Sequence, residues 1–222
     1  MISKSCLVVF SGGQDSTTCL YWAKQQFEKV HAVTFDYGQR HRIELEAARV
    51  ICELAQVSQV VLPINSFSAL GGNSLTDANQ EIIGVGKGNL PDSFVPGRNL
   101  VFMTLAAAYA WQNDIFDLVT GVCQTDYSGY PDCRLNTMRA LEQSISLGMD
   151  AKFTIHTPLM HLSKKESILL AREVGAYQAL ASSHTCYNGQ FPPCGTCPAC
   201  ILRAKGFEEA QYPDPLVERG NE

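Results

Sequence analysis

The sequence predicts an α/β fold: a doubly wound, mainly parallel five-stranded sheet followed by a small cysteine-bearing C-terminal segment. Three observations carry that reading. Short apolar runs alternate with longer helix-like ones, the rhythm of strands joined by crossover helices. A glycine turn, Ser11-Gly12-Gly13-Gln14-Asp15-Ser16, separates the first such run from the first helical stretch. Four of the nine cysteines crowd together near the C-terminus. Residues 1–181 are therefore expected to form the main domain and residues 182–222 the appended segment.

The first strand is expected over Cys6–Phe10, from the run Cys-Leu-Val-Val-Phe, and the first helix over Ser16–Gln26. A strand over Lys29–Phe35 leads to a helix over Arg40–Ala55, in which Ile43, Ala47, Val50, Ile51 and Leu54 share one face. After a strand over Gln59–Leu62, residues Asn65–Pro96 break the rhythm with a series of glycines and Pro91. Connections of that length in a compact domain are usually either functional lids or disordered surface loops. A flap near the active site, bearing subunit contacts, is one expectation and an ordinary surface loop the other. A helix over Asn99–Trp111, a strand over Asp117–Thr120, a helix over Asn136–Leu147, a strand over Lys152–Thr157 and a helix over Ser163–Val174 complete the alternation.

Composition narrows the class. A net charge of −5 argues against a broad nucleic-acid-binding face. No apolar run approaches the ~18 residues of a membrane span. Met1-Ile2-Ser3-Lys4-Ser5 leads directly into the first strand, with no stretch resembling a signal peptide, so a cytoplasmic location is expected, without nucleic-acid or membrane partners.

A strand, a glycine turn and a helix N-terminus together make an anion site. The first amides of a helix lack intrahelical partners, and the helix dipole favours negative charge there. Gly12 and Gly13 allow close approach of a phosphate, and the neighbouring hydroxyls add donors. Neither G-x-x-x-x-G-K-[ST] nor G-x-G-x-x-G fits this turn. Asp15 suits Mg²⁺, directly or through water.

In an open α/β sheet the ligand lies beyond the carboxyl ends of the strands, which directs attention to the trailing loops. After the second strand, Tyr37 is placed to stack on a base and Arg40 to offset phosphate charge, with helix capping by Asp36 as the plain alternative. Arg98, in Pro96-Gly97-Arg98-Asn99, is a candidate partner for a phosphate or carboxylate, or else a surface arginine. After the fourth strand, Asp126 and Asp132 are suited to accept from the amine and ring N–H of a guanine-like base, with Tyr127 or Tyr130 stacked on it; an irregular surface turn is the alternative. Ser163 and Glu166 form a capping-box pattern, which leaves Lys164 at a helix start where a cation is disfavoured unless an anion shares the site.

Cys186, Cys194, Cys197 and Cys200 read C-x7-C-x2-C-x2-C, a set suited to a closed, structural Zn²⁺ site, with an iron–sulfur cluster as the alternative. Such a centre would pin the C-terminal segment against the active edge of the sheet. Arg203, just beyond it, would face the substrate or balance the thiolates.

The pattern S-G-G-x-D-S resembles the pyrophosphate loop of the ATP pyrophosphatase (PP-loop) superfamily, with its Rossmann-like fold. With D-Y-G-Q-R-H, P-G-R-N, D-Y-S-G-Y-P-D-C-R, H-T-P-L-M and the four cysteines in this order, the chain is similar to the 7-cyano-7-deazaguanine synthases from about residue 5 to residue 205. That resemblance implies a queuosine-pathway ligase. It would use ATP, with Mg²⁺ and structural zinc, to convert 7-carboxy-7-deazaguanine and ammonia to the nitrile through adenylated acid and amide intermediates. It also implies a homodimer. The nucleotide site would run from Phe10 through Ser11, Gly12, Gly13, Gln14, Asp15, Ser16, Thr17, Thr18 and Cys19 to Leu20, with Asp15, Lys164 and Arg98 as the catalytic groups. A tRNA-thiolating enzyme, with Cys123 or Cys133 as the sulfur carrier, and a non-catalytic nucleotide-binding regulator are the competing readings.

Overall fold

The computed structural model describes residues 5–39, 42–70, 75, 90–125 and 129–220. Five strands, β1 (Ser5–Val9), β2 (Lys29–Asp36), β3 (Ser58–Pro63), β4 (Asp117–Thr120) and β5 (Thr154–His156), form one sheet in the order β3-β2-β1-β4-β5. Every pairing is parallel, with Val8 set between Ala32 and Val119. Chain order reverses on either side of β1, so the switch point, and the crevice it creates, lies where β1 and β4 end.

The central strand explains its own sequence. Cys6, Leu7 and Val8 are fully buried because both faces of β1 are covered. On one face Leu7, Val33 and Leu118 pack beneath α4 (Arg98–Trp111) and α5 (Leu135–Gly148). On the other, Cys6, Val8 and Val119 pack beneath α1 (Gln14–Gln26) and α2 (Ile43–Ala55). A short helix α3 (Ser66–Leu70) follows β3, and α6 (Lys164–Glu173) follows β5.

The differences from expectation have local causes. Helix α1 starts at Gln14, two residues early, because Thr17 N–H already donates to the Gly13 carbonyl. Strand β5 is shorter than expected because it pairs only with the four-residue β4, whose ladder ends at Val119–His156. The C-terminal segment contains two unforeseen helices, α7 (Pro198–Ala210) and α8 (Pro215–Gly220), and α7 shares an apolar cluster with α6 through Phe207, Ala210, Ile168 and Ala171. Most of the expected flap at 65–96 lies outside the described residues. No helix among the described residues is long and apolar enough to cross a membrane.

Candidate functional site

The glycine turn is held from both sides. Gly12 adopts φ +84°, and a Cβ there would stand 2.6 Å from the Ala48 nitrogen and 2.7 Å from the Glu44 carbonyl oxygen, so α2 presses directly on the loop. At the exit of β4, a Cβ on Gly121 would lie 3.1 Å from the Ser16 nitrogen. Gly13 is the N-cap of α1 and brings no capping side chain. The hydroxyls mostly build the loop itself. Ser11 Oγ accepts from Gly13 N–H at 3.2 Å and lies 3.1 Å from Ser16 Oγ. Thr17 and Thr18 donate to the Gly13 and Gln14 carbonyls. With Cys19 and Leu20 they are fully buried, so these four sequence candidates support the loop from within the helix and do not face the cleft.

Asp15 and Lys164 meet across the mouth of the loop, with Nζ 2.8 and 3.1 Å from the two carboxylate oxygens. The capping box is present: Ser163 Oγ accepts from Glu166 N–H and the Glu166 carboxylate accepts from Ser163 N–H. It starts α6 so that Lys164 stands in its first turn. The cation tolerated at that helix start already has an anion, Asp15, within the chain.

Beyond the loop opens a cavity of about 250 Å³. Ser11, Gly13, Gln14, Asp15 and Ser16 line one side, and Phe10 reaches it from the end of β1. Phe35, Tyr37, Phe102, Tyr130 and Tyr187 give it aromatic walls. Arg98 sits among them: Nη1 donates to the Tyr37 hydroxyl at 3.3 Å, the guanidinium lies 5.7 Å from that ring's centroid, and Nε has no partner among the described residues. Burial pushes the Tyr37 phenol up to about 12 and the Tyr187 phenol well above its usual value, so both remain neutral donors. Gln14 is only 2% exposed, and neither its Nε2 nor its Oε1 finds a partner among the described residues.

The remaining candidates divide. Tyr37 and Tyr130 line the cavity, Tyr130 with its hydroxyl 2.7 Å from Ser93 Oγ. Asp132 is not among the residues lining the cavity. Its buried carboxylate accepts from Asn99 N–H at 3.0 Å and caps the first turn of α4, a structural task that also positions Arg98. Arg40 and Asp126, with Tyr127, lie outside the described residues.

The four cysteines converge. The Sγ atoms of Cys186, Cys194, Cys197 and Cys200 all lie within 4.8 Å of one another, compatible with the ~3.8 Å sulfur separations of a tetrahedral Zn–S₄ unit. Cys194 Sγ accepts from Cys197 N–H at 3.3 Å, a donor arrangement suited to a thiolate. A hydrogen bond from Cys200 holds the Cys197 thiol well below its ordinary range and raises Cys200. The donor set therefore fits a structural zinc ion.

The segment leading into Cys186 runs along the phosphate loop. His184 N–H donates to the Gly12 carbonyl at 2.9 Å, while His184, Thr185 and Tyr187 line the cavity. Sequence reasoning missed these three residues, although their adjacency to a metal ligand was the available signal. Arg203 is not among the residues lining the cavity. It is 4% exposed, paired through two nitrogens with Asp214 at 2.6 and 2.8 Å, and donates to Ser183 and Thr185 hydroxyls, fastening this segment to α7.

Residues 5–211 match the family described as queuosine biosynthesis protein QueC. A 7-cyano-7-deazaguanine synthase of Chromobacterium violaceum is 64% identical over 222 residues, covering 97% of this chain and 94% of its own. Another, from Laribacter hongkongensis, is 62% identical over 215 residues, covering 96% and 94%. Among solved structures, a 4-thiouridine synthetase in complex with RNA and ATP has a TM-score of 0.53 at 19% identity, over 98% of this chain and 53% of that one, a likeness of fold alone.

Proposed function

Because the chain belongs to the QueC family of queuosine biosynthesis proteins, it is an enzyme that makes 7-cyano-7-deazaguanine, and we propose that it does so from 7-carboxy-7-deazaguanine and ammonia by activating the same carbon twice with ATP. The observation that supports this chemistry best is the pairing, in one cavity, of a phosphate-sized turn beside Lys164 with aromatic walls suited to a flat ring.

A carboxylate oxygen of the substrate attacks the α-phosphorus of ATP, the bond to the β-phosphate bridging oxygen breaks, and pyrophosphate leaves. Ammonia adds to the acyl carbon, loses a proton and expels AMP, leaving an amide. The amide oxygen attacks the α-phosphorus of a second ATP, the bond to the β-phosphate bridging oxygen breaks and a second pyrophosphate leaves, with loss of one N–H proton. The resulting imidate loses the second N–H proton and AMP to give the nitrile.

The residues supply positioning and charge. The amides of the Ser11–Ser16 turn that are not spent on the Ser11 and Ser16 hydroxyls hold the phosphates, and Lys164 neutralises charge as pyrophosphate forms. Asp15 fixes Lys164 and is the carboxylate best placed for Mg²⁺, which when bound would screen the phosphate oxygens. Arg98 offers its unspent Nε–H to an oxygen of the substrate, and Tyr37, Tyr130 and Tyr187 enclose the ring. Cys186, Cys194, Cys197 and Cys200 would hold zinc as a structural tie that keeps His184, Thr185 and Tyr187 against the loop, apart from the chemistry. A cytoplasmic homodimer is part of the same proposal, supported by the exposed apolar residues Val101, Leu105 and Trp111 on α4.

The purified chain, given the acid, ammonium and ATP, is expected to release two AMP and two pyrophosphate for each nitrile, without tRNA. Formation of ADP and phosphate in their place would overturn the proposal.

A further inference from the structure

Gln14 opens α1 with its backbone engaged and its side chain unused. Its carbonyl takes the Thr18 hydroxyl, but the carboxamide is buried at the cavity with neither polar atom partnered. A buried amide in that condition is costly, and native proteins seldom retain one without a ligand or an ordered water to satisfy it. A carboxamide presents a donor and an acceptor side by side, so its complement is a group presenting an acceptor and a donor in the same plane.

Three groups in the reaction have such an edge: the adenine, the lactam of the deazaguanine ring, and the amide formed midway. Position selects among them. Gln14 belongs to the turn proposed above to cradle the phosphates and is adjacent in sequence to Asp15, so on that mechanism it stands beside the substrate oxygen that attacks the α-phosphorus. The aromatic residues suited to hold flat rings come from other elements. Resting on the double-activation mechanism above, we propose that Gln14 grips the amide intermediate, donating from Nε2 to its carbonyl oxygen and accepting one of its N–H groups at Oε1. The incoming carboxylate has no donor for Oε1, and neither has the nitrile. The contact is therefore complete only for the intermediate, which it retains between the two activations with one oxygen lone pair left for phosphorus. Gln14 itself moves no proton.

The test is the fate of the amide. Wild-type protein supplied with the amide and ATP must make nitrile; if it does not, the double-activation mechanism fails and this inference fails with it. Given the acid, ATP and ammonia, Gln14→Met, which keeps side-chain length and removes both polar atoms, is expected to raise the ratio of released amide to nitrile by about tenfold or more. Gln14→Glu, which keeps an acceptor but loses the amide donor, is expected to raise it as well. Both should melt close to wild type, because nothing among the described residues bonds this carboxamide. As a check without substitution, the methyl ketone analogue, of the same shape but lacking N–H, should bind wild type about tenfold more weakly than the amide. An unchanged product ratio in both variants, or equal binding of amide and ketone, overturns the inference while leaving the mechanism standing.

Discussion

Gly206 on α7 and Lys164 on α6 approach so closely that a Cβ on the glycine would stand 2.5 Å from the lysine Cγ. The lysine that faces Asp15 across the phosphate loop is thus set in place by the helix that carries Cys200 and follows Cys197. Replacing Gly206 by alanine should push the lysine side chain aside. The displaced atoms belong to a flexible side chain and helix propensity improves by about 1 kcal/mol, so stability should change little. Pyrophosphate release should fall by about tenfold or more, and a melting curve beside a rate measurement separates the two effects. Wild-type turnover in Gly206→Ala would show that Lys164 does not act at the loop.

Gly12→Ala should behave in the opposite way, because the atoms it would strike are the backbone of α2. Left-handed φ costs a non-glycine residue about 1–2 kcal/mol before any clash, so a total of about 3 kcal/mol or more is expected, together with loss of ATP binding. Urea denaturation checks the first quantity and nucleotide titration the second. Wild-type stability in this variant would contradict the close approach.

Removing the metal should abolish activity by freeing the segment that follows the loop. His184 and Tyr187 flank the first ligand, Cys186, so chelation should weaken binding of the deazaguanine substrate and expose the 183–200 region to protease. Elemental analysis should find one zinc per chain. A fully active metal-free protein would rule out the pinning role.

Tyr37 predicts an alkaline signature. Burial raises its phenol from 10.0 to about 12 in the folded chain, so the folded state keeps a proton that the unfolded state has lost. Stability from this group is complete below pH 10.0 and declines as the pH rises toward about 12, by up to about 3 kcal/mol. Tyr37→Phe should flatten that decline in denaturation curves recorded at pH 9 to about 11.5. An equally steep decline in the variant would place the titrating group elsewhere.

Much of this architecture was legible in sequence because its signals are local. The β1 run is apolar throughout since α-helices cover both faces, whereas the α2 face was legible only in part: Ala47 and Ile51 are buried as expected, but Leu54 is 61% exposed and the packed face turns instead to Ala48 and Cys52. The capping box at Ser163 and the cysteine spacing are likewise written within a few residues. Helix α7 was not legible, because its buried face carries Arg203 and Gly206 where an apolar stripe would announce a helix. Their reasons are remote partners, Asp214 for one and Lys164 for the other. Asp132 was expected to read the substrate since nothing nearby in sequence claims its carboxylate; the claimant is the Asn99 amide, 33 positions earlier. The hydroxyls of Thr17 and Thr18 resemble phosphate donors in a string of letters, and only the helix geometry turns them inward.

The route of the oxygen atoms tests the chemistry most directly. If the acid is supplied with ¹⁸O in both carboxyl positions, each label should leave on a separate AMP, one from each activation, and none should appear in pyrophosphate or water. Unlabelled AMP, or label recovered in inorganic phosphate, would mean that the substrate's oxygens never bond to the α-phosphorus at this loop.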